Sequence, residues 1–145
     1  MRYHFKIHKD KTKGYWAQGV ELPGCFSQAE TREELRISLV EALNLYLSEP
    51  EDSKLIFPSP KKNTVESKVV WAVEVDPKVA FAVTLKNLRL KKNLSQSQMK
   101  EKLGIKHLSA YQRLEDPRRA NPRLLTLKKI KSVFPSVRID QILAA

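Results

Sequence analysis

The chain has 145 residues, with 27 Lys/Arg against 16 Asp/Glu and a net charge of +11. The charge is unevenly placed: residues 78–145 hold 16 Lys/Arg and 4 Asp/Glu, a net of +12, whereas residues 1–77 sum to −1. The single Cys25 excludes an intrachain disulfide and a cysteine zinc cluster and fits a reducing cytosol, and no apolar run approaches the ~20 residues that cross a bilayer.

The second half therefore has the electrostatics of a nucleic-acid binder and the first does not. Two small domains are expected, over residues 1–76 and 77–145. Cores of ~60–70 residues are marginal alone, so self-association is expected as well. Met1 to Lys6 alternates polar and apolar residues and does not read as a signal peptide.

Tyr3, Phe5 and Ile7 alternate with His4, Lys6 and His8, the period of a half-buried strand. Asp10 to Gly14 is a polar turn. Tyr15 to Leu22 reads as a second strand, rich in aromatic and β-branched residues. Pro23-Gly24 is a turn signal, Pro setting φ and Gly permitting a positive φ. Cys25 to Ala29 is a short third strand. Thr31-Arg32-Glu33-Glu34 forms a capping box. Behind it Leu35, Leu39, Ala42, Leu43 and Tyr46 recur at helical spacing, so a helix is expected over 32–47. Ser48 to Asn63, with three prolines, is a loop. Ser67 to Val75 is a fourth strand with Val69, Trp71, Val73 and Val75 on one face. The order β-β-β-α-β is an α+β layer.

Gly14-Tyr15-Trp16-Ala17, the run from Glu21 through Pro23-Gly24-Cys25 to Thr31, Glu33-Glu34-Leu35, Glu41-Ala42-Leu43 and Tyr46-Leu47 together resemble the N-terminal domain of HicB-type antitoxins. The resemblance covers about residues 1–76. It implies a partial ribonuclease H-like fold without catalysis, and a HicA-type mRNA-cleaving toxin as partner. The toxin contact it implies runs from Tyr15 to Phe26, through Tyr15, Trp16, Glu21, Leu22, Pro23, Gly24 and Phe26.

In the second half, Phe81, Leu85 and Leu88 mark a helix. Ser95-Gln96-Ser97-Gln98 is a capping box in its Ser/Gln form. It opens a short helix with Met99 and Leu103 inward, which Gly104 ends. Ser109 to Leu114 is the next short helix, with Tyr111 and Leu114 inward. Asn121 and Pro122 read as N-cap and first residue of a helix that runs to about Phe134, where Pro135 stops it. Ile139, Ile142 and Leu143 make a last short helix. The run from Leu94-Ser95-Gln96 through Leu103-Gly104-Ile105, Tyr111 and Leu114-Glu115 to Lys129-Ile130 resembles the Cro/phage-repressor type of helix-turn-helix. Ten residues separate Gly104 from Glu115 where the common pattern has nine, which leaves the start of the recognition helix open by one.

On this reading Ser109, Ala110, Gln112 and Arg113 face DNA, Gln and Arg being able to pair bidentately with adenine and guanine. His107 either touches DNA or covers the turn. Gln96 is placed for a phosphate, and Lys91, Lys92, Lys106, Arg118, Arg119 and Arg123 supply backbone contacts. Lys128, Lys129 and Lys131 are expected to be merely solvated.

Other residues carry weaker signals. Cys25 is expected as a buried filler rather than a reactive thiol. His4 and His8 share a strand face, and an exposed face is expected there rather than a metal site. Core is the commoner fate for Trp16 and Trp71, with a binding platform as the alternative. Metal-assisted nuclease chemistry needs converging carboxylates, and the strands offer only Glu21 and Glu74. No catalytic residue, metal or cofactor is expected. The expected function is a cytoplasmic antitoxin that binds its toxin and represses its own operon, as a dimer on a palindromic operator. A stand-alone regulator with a ligand-sensing first domain, or a ribonuclease H-like nuclease, are the alternatives.

Overall fold

The computed structural model describes residues 1–144. It divides into two compact units, one of residues 1–47 with 57–76 and one of residues 48–56 with 77–144. The break at 76/77 falls where the last strand gives way to the first helix of the second unit. The segment Ser48–Ile56 groups with the helices rather than with the sheet. There Lys86 Nζ donates to the Pro50 carbonyl at 2.7 Å.

The first unit contains β1 (Arg2–Lys9), β2 (Tyr15–Gly19), β3 (Phe26–Ala29), α1 (Arg32–Leu47) and β4 (Val70–Glu74). The four strands form one antiparallel sheet in the order β3-β2-β1-β4. Tyr3, Phe5, Ile7, Ala17, Trp71 and Val73 fill its inner face, and Leu35, Leu39, Leu43 and Leu47 of α1 are buried. Those four leucines recur every fourth residue, so one stripe of the helix is apolar. Full burial of each is worth ~1.5–3 kcal/mol. Thr31 Oγ1 accepts from the Glu34 amide at 3.1 Å, which fixes the start of α1.

Several boundaries move inward from the sequence expectation. β2 stops at Gly19 rather than Leu22, because Glu21 and Leu22 turn into the interior. Cys25 N–H closes a turn onto the Leu22 carbonyl at 2.9 Å, so Pro23-Gly24 does turn the chain. Gly24, however, has no positive φ. A Cβ there would stand 2.7 Å from the Tyr46 hydroxyl, so a larger residue would have to displace the end of that side chain. The left-handed glycine of this unit is Gly14, at φ 86° in the β1–β2 turn. β4 is shorter than expected, and Val69 lies outside it and is exposed.

The second unit contains α2 (Pro77–Lys91), α3 (Gln96–Lys102), α4 (Leu108–Glu115), α5 (Leu124–Val133) and α6 (Ile139–Ile142). α2 ends in a Schellman motif: Leu94 N–H bonds the Arg89 carbonyl, Asn93 N–H bonds Leu90, and Asn93 takes φ 53°. α3 ends the same way, with Gly104 at φ 67° and the Ile105 amide on the Lys100 carbonyl. Phe81, Leu85, Met99, Leu103, Tyr111, Ile130 and Ile142 are buried as this unit's core. α5 begins at Leu124 with Arg123 as N-cap. Asn121 and Pro122 stay non-helical, so the expected cap stands two residues too early. Among the described residues no helix is long and apolar enough to cross a membrane.

Candidate functional site

α3 and α4 are the two helices on which the sequence places the DNA-reading surface. The Ser95 side chain accepts from the Gln98 amide at 3.1 Å and Gln98 Oε1 accepts from the Ser95 amide at 2.8 Å, the reciprocal capping box its sequence spells. α4 begins at Leu108 with His107 as N-cap, which settles the one-residue question at the start of the recognition helix. Lys106, His107, Ser109, Ala110 and Arg113 are exposed, Gln112 is half-buried, and Tyr111 is fully buried. Leu114 is only half-buried. The residue turned inward beside Tyr111 is Glu115.

Glu115 is the hub of this unit. Arg89 of α2 reaches it through two bonds, Nε to Oε1 at 2.5 Å and Nη2 to Oε2 at 3.0 Å, while Arg89 Nη1 donates to the Leu94 carbonyl. The Tyr111 hydroxyl donates to Oε1 at 2.5 Å, and Gln96 Nε2 donates to Oε2 at 3.1 Å. Gln112 Nε2 donates in turn to Gln96 Oε1 at 3.2 Å. The bonds from Glu115 hold the Arg89 guanidinium more firmly charged. Burial, and after it the Glu115 charge, push the Tyr111 phenol far above its ordinary range. A buried charge pair is kept only if its remaining valences are filled, and here the Tyr111 and Gln96 side chains and the Leu94 carbonyl do that. The pair therefore fixes α4 against α2, and through Gln96 it fixes the amide of Gln112.

Sequence reasoning did not find this hub. The signal was present: Arg89 follows Leu85 by four residues and Glu115 follows Tyr111 by four, so opposite charges occupy inward positions on two helices. Gln96, expected at a phosphate, has both amide atoms engaged within the protein. Arg119, expected at DNA, is held by Asp116 at 2.6 Å, whereas Arg118 extends from the same exposed turn with only its amide on Asp116. That amide bond comes first among the contacts that keep the Asp116 carboxyl below its usual range. Lys91 and Lys92 are exposed at the end of α2.

The residues grouped in the first half divide into two sets. Trp16, Pro23, Gly24 and Phe26 are exposed, Phe26 at 69%, and Tyr15 is half-buried. Trp16 is thus on the surface and not in the core; its ring stacks on His8 at 4.1 Å between centroids. Trp71 is buried, with the Arg36 guanidinium 4.1 Å above its ring. Glu21 and Leu22 are interior and cannot meet a partner directly. Glu21 accepts from His4 Nδ1 at 2.6 Å, the His4 amide at 2.9 Å and the Lys61 amide at 3.0 Å. Burial opposes its charge, but these hydrogen bonds outweigh burial and hold the carboxyl below the ordinary value of 4.5. His4 is accordingly buried, and the strand face it shares with His8 is not uniformly exposed. Burial pushes the Cys25 thiol up to about 11, which leaves it an inert filler. The described residues contain no group of three or more His, Cys, Asp or Glu placed to hold a metal ion.

Two comparisons with known proteins bear on these units. A helix-turn-helix family model matches residues 85–142, which takes in the C-terminal part of α2 and all of α3 to α6. The second unit is a DNA-binding helix-turn-helix of the Cro/C1 type. The chain is also 38% identical over 47 residues to the UPF0150 protein Ta0767 of Thermoplasma acidophilum, covering 32% of this chain and 68% of that protein. This chain belongs to the UPF0150 family. UPF0150 is a HicB-like family, so one UPF0150 chain here carries a DNA-binding unit as well.

Proposed function

We propose that this UPF0150 chain is a HicB-type antitoxin: it holds a HicA-type RNA-cleaving toxin with its first unit and represses its own operon with its second. The observation that carries this reading is the union, in one chain, of a HicB-like match and a Cro/C1-type helix-turn-helix. On this reading the first unit is a partial ribonuclease H-like fold that has lost its chemistry. Glu21 is spent on His4 and Lys61, and among the described residues Glu74 of β4 belongs to no group of three or more His, Cys, Asp or Glu that could hold a metal ion. The near-neutral first half suits a basic partner, because opposite potentials speed encounter and fix register. Trp16, Pro23 and Phe26 offer the exposed aromatic and apolar surface such a contact needs.

Operator binding as a dimer follows the usual geometry of two reading helices on two half-sites. An apolar groove of about 210 Å³ lined by Phe81, Leu127, Ile139, Ile142 and Leu143 supports self-association of the second unit, as do the exposed Leu124 and Leu125 nearby in sequence. Co-expression of the full chain with a HicA-type toxin should relieve the growth arrest that the toxin causes. No relief overturns the antitoxin reading. Fluorescence anisotropy on the DNA upstream of the gene should show affinity falling steeply with salt, each neutralised phosphate adding ~0.9 to the log–log slope. Absent or salt-independent binding overturns the repressor reading.

A further inference from the structure

The two edges of the sheet are finished differently. β1 bonds β4 through its odd-numbered residues, as the Ile7 amide on the Val69 carbonyl and the Val75 amide on the Met1 carbonyl show. The even-numbered groups of β4 therefore point outward. They are closed from within: Val70 N–H donates to Ser67 Oγ, the Val70 carbonyl accepts from the Ser67 amide, and Ala72 N–H donates to Glu66 Oε1 at 3.1 Å. This edge cannot take another strand without displacing the 66–70 turn.

β3 is the opposite edge and has no such cover. The Gly19 amide on the Cys25 carbonyl sets the register with β2, so Ser27 faces β2 while Phe26 and Gln28 direct their amides and carbonyls outward. Among the described residues nothing in the protein bonds these four groups. β3 carries no charge and no proline, the usual guards of an edge.

The surroundings say what kind of strand fits. α1 packs mainly on β3, and the Ser27–Ser38 hydroxyl bond marks the flank of α1 that lies over it. Glu34 and Glu41, four before and three after Ser38, are its neighbours on the helix and are exposed, and among the described residues neither makes an ion pair. Glu30, at the end of β3, makes only an exposed pair with Lys13. The basic residues of α1 are drawn elsewhere, Arg32 and Arg36 lying over the Trp71 ring on β4. The open edge is thus bordered by acids. Two copies joined edge to edge would set Glu34 and Glu41 of one against those of the other, which disfavours self-pairing.

We infer that β3 is a docking edge that takes an extended, Lys/Arg-bearing strand of a basic partner protein as a fifth strand of the sheet. The outward groups of Phe26 and Gln28 supply the main-chain bonds, Phe26 the apolar contact, and Glu30, Glu34 and Glu41 the charge match. This rests on the antitoxin reading and specifies how the basic partner is held.

The test is amide hydrogen exchange on the full chain, free and mixed with a HicA-type toxin, the basic partner proposed above. Phe26 and Gln28 amides should exchange rapidly in the free chain and become protected in the complex, while those of Val70 and Ala72 do not change. Gln28→Pro removes one outward amide without touching a bond to β2. It should weaken the complex by about tenfold or more and leave DNA binding intact. A complex in which both amides still exchange freely overturns the edge inference and leaves the antitoxin reading standing. No complex overturns both. Protection already present in the free chain, and lost on dilution, identifies a second copy as the occupant and overturns the assignment to a basic partner.

Discussion

Glu21 in the sheet unit and Glu115 in the helical unit are both sealed from solvent, with side-chain exposures of 2% and 3%. Glu21 is surrounded by an imidazole and two main-chain amides and ties the 20–25 turn and the 57–61 segment to β1. Glu115 faces a guanidinium that cannot give up its proton, and it ties three helices together. The same side chain thus serves as a loop latch in one unit and as a charge partner in the other. The two should fail differently when removed, because one leaves unfilled amides and the other an uncompensated buried cation.

The largest effect is expected at Glu115. Glu115→Ala leaves Arg89 charged and buried and should destabilise the helical unit by ~3–5 kcal/mol. Both tryptophans, Trp16 and Trp71, lie in the first unit, so far-UV circular dichroism is the readout for the helices. The double change Arg89→Met with Glu115→Leu should recover most of the loss, since apolar pairs often replace buried ion pairs at little cost. Operator affinity should not recover with it, because Gln96 and Gln112 lose their anchor. Recovery of both would show that the hub holds the fold alone and not the reading surface.

Glu21→Gln comes next, at ~1–3 kcal/mol, the cost of a poorly satisfied buried acceptor site. It also carries a pH signature. A carboxyl held below its unfolded value contributes stability that is present above 4.5 and lost as pH falls through the folded value. The wild-type chain should lose stability on acidification below about 4.5 in tryptophan-monitored urea titrations, and Glu21→Gln should flatten that limb. An unchanged acid limb would show that the latch bonds do not depend on the charge.

Arg113→Ala should leave stability within about 0.5 kcal/mol, as exposed substitutions do, and cost ~1–3 kcal/mol in DNA binding at one base position. Lys91→Ala should weaken all sequences alike. Anisotropy on a set of single-base operator variants separates the two. A uniform loss for Arg113→Ala would move it from base readout to phosphate contact.

What could be read in advance follows the same line as the comparison. The bounds of α1, the Ser95 capping box, the Thr31 half of the other expected box and the Gly104 stop depend on residues within a turn of one another, and local rules found them. The two carboxylate clusters join residues 17 and 26 positions apart, and no local pattern pairs such partners. Trp16 misled the reading because alternation assigns a strand position to a face without saying whether that face is covered. The exposed set from Tyr15 to Phe26 was partly legible for the same reason: its location follows from the sequence string, but the inward turn of Glu21 and Leu22 depends on the distant Lys61 amide.

The smallest effect is expected where the sequence was most explicit. Ser95→Ala removes one half of the α3 capping box and should cost ~1 kcal/mol of helical-unit stability. Ser95→Asp should retain that stability, because Asp caps as well as Ser and its charge suits a helix N-terminus. The two substitutions separate capping from DNA contact. If Ser95 lies against the phosphates, the aspartate should weaken operator binding at low salt while melting is unchanged, and added salt should narrow the gap by screening the repulsion. Equal affinity of Ser95→Asp and wild type across salt would place the start of α3 away from the DNA backbone, and would leave α4 with Lys106 and the Arg118 turn to supply the contacts.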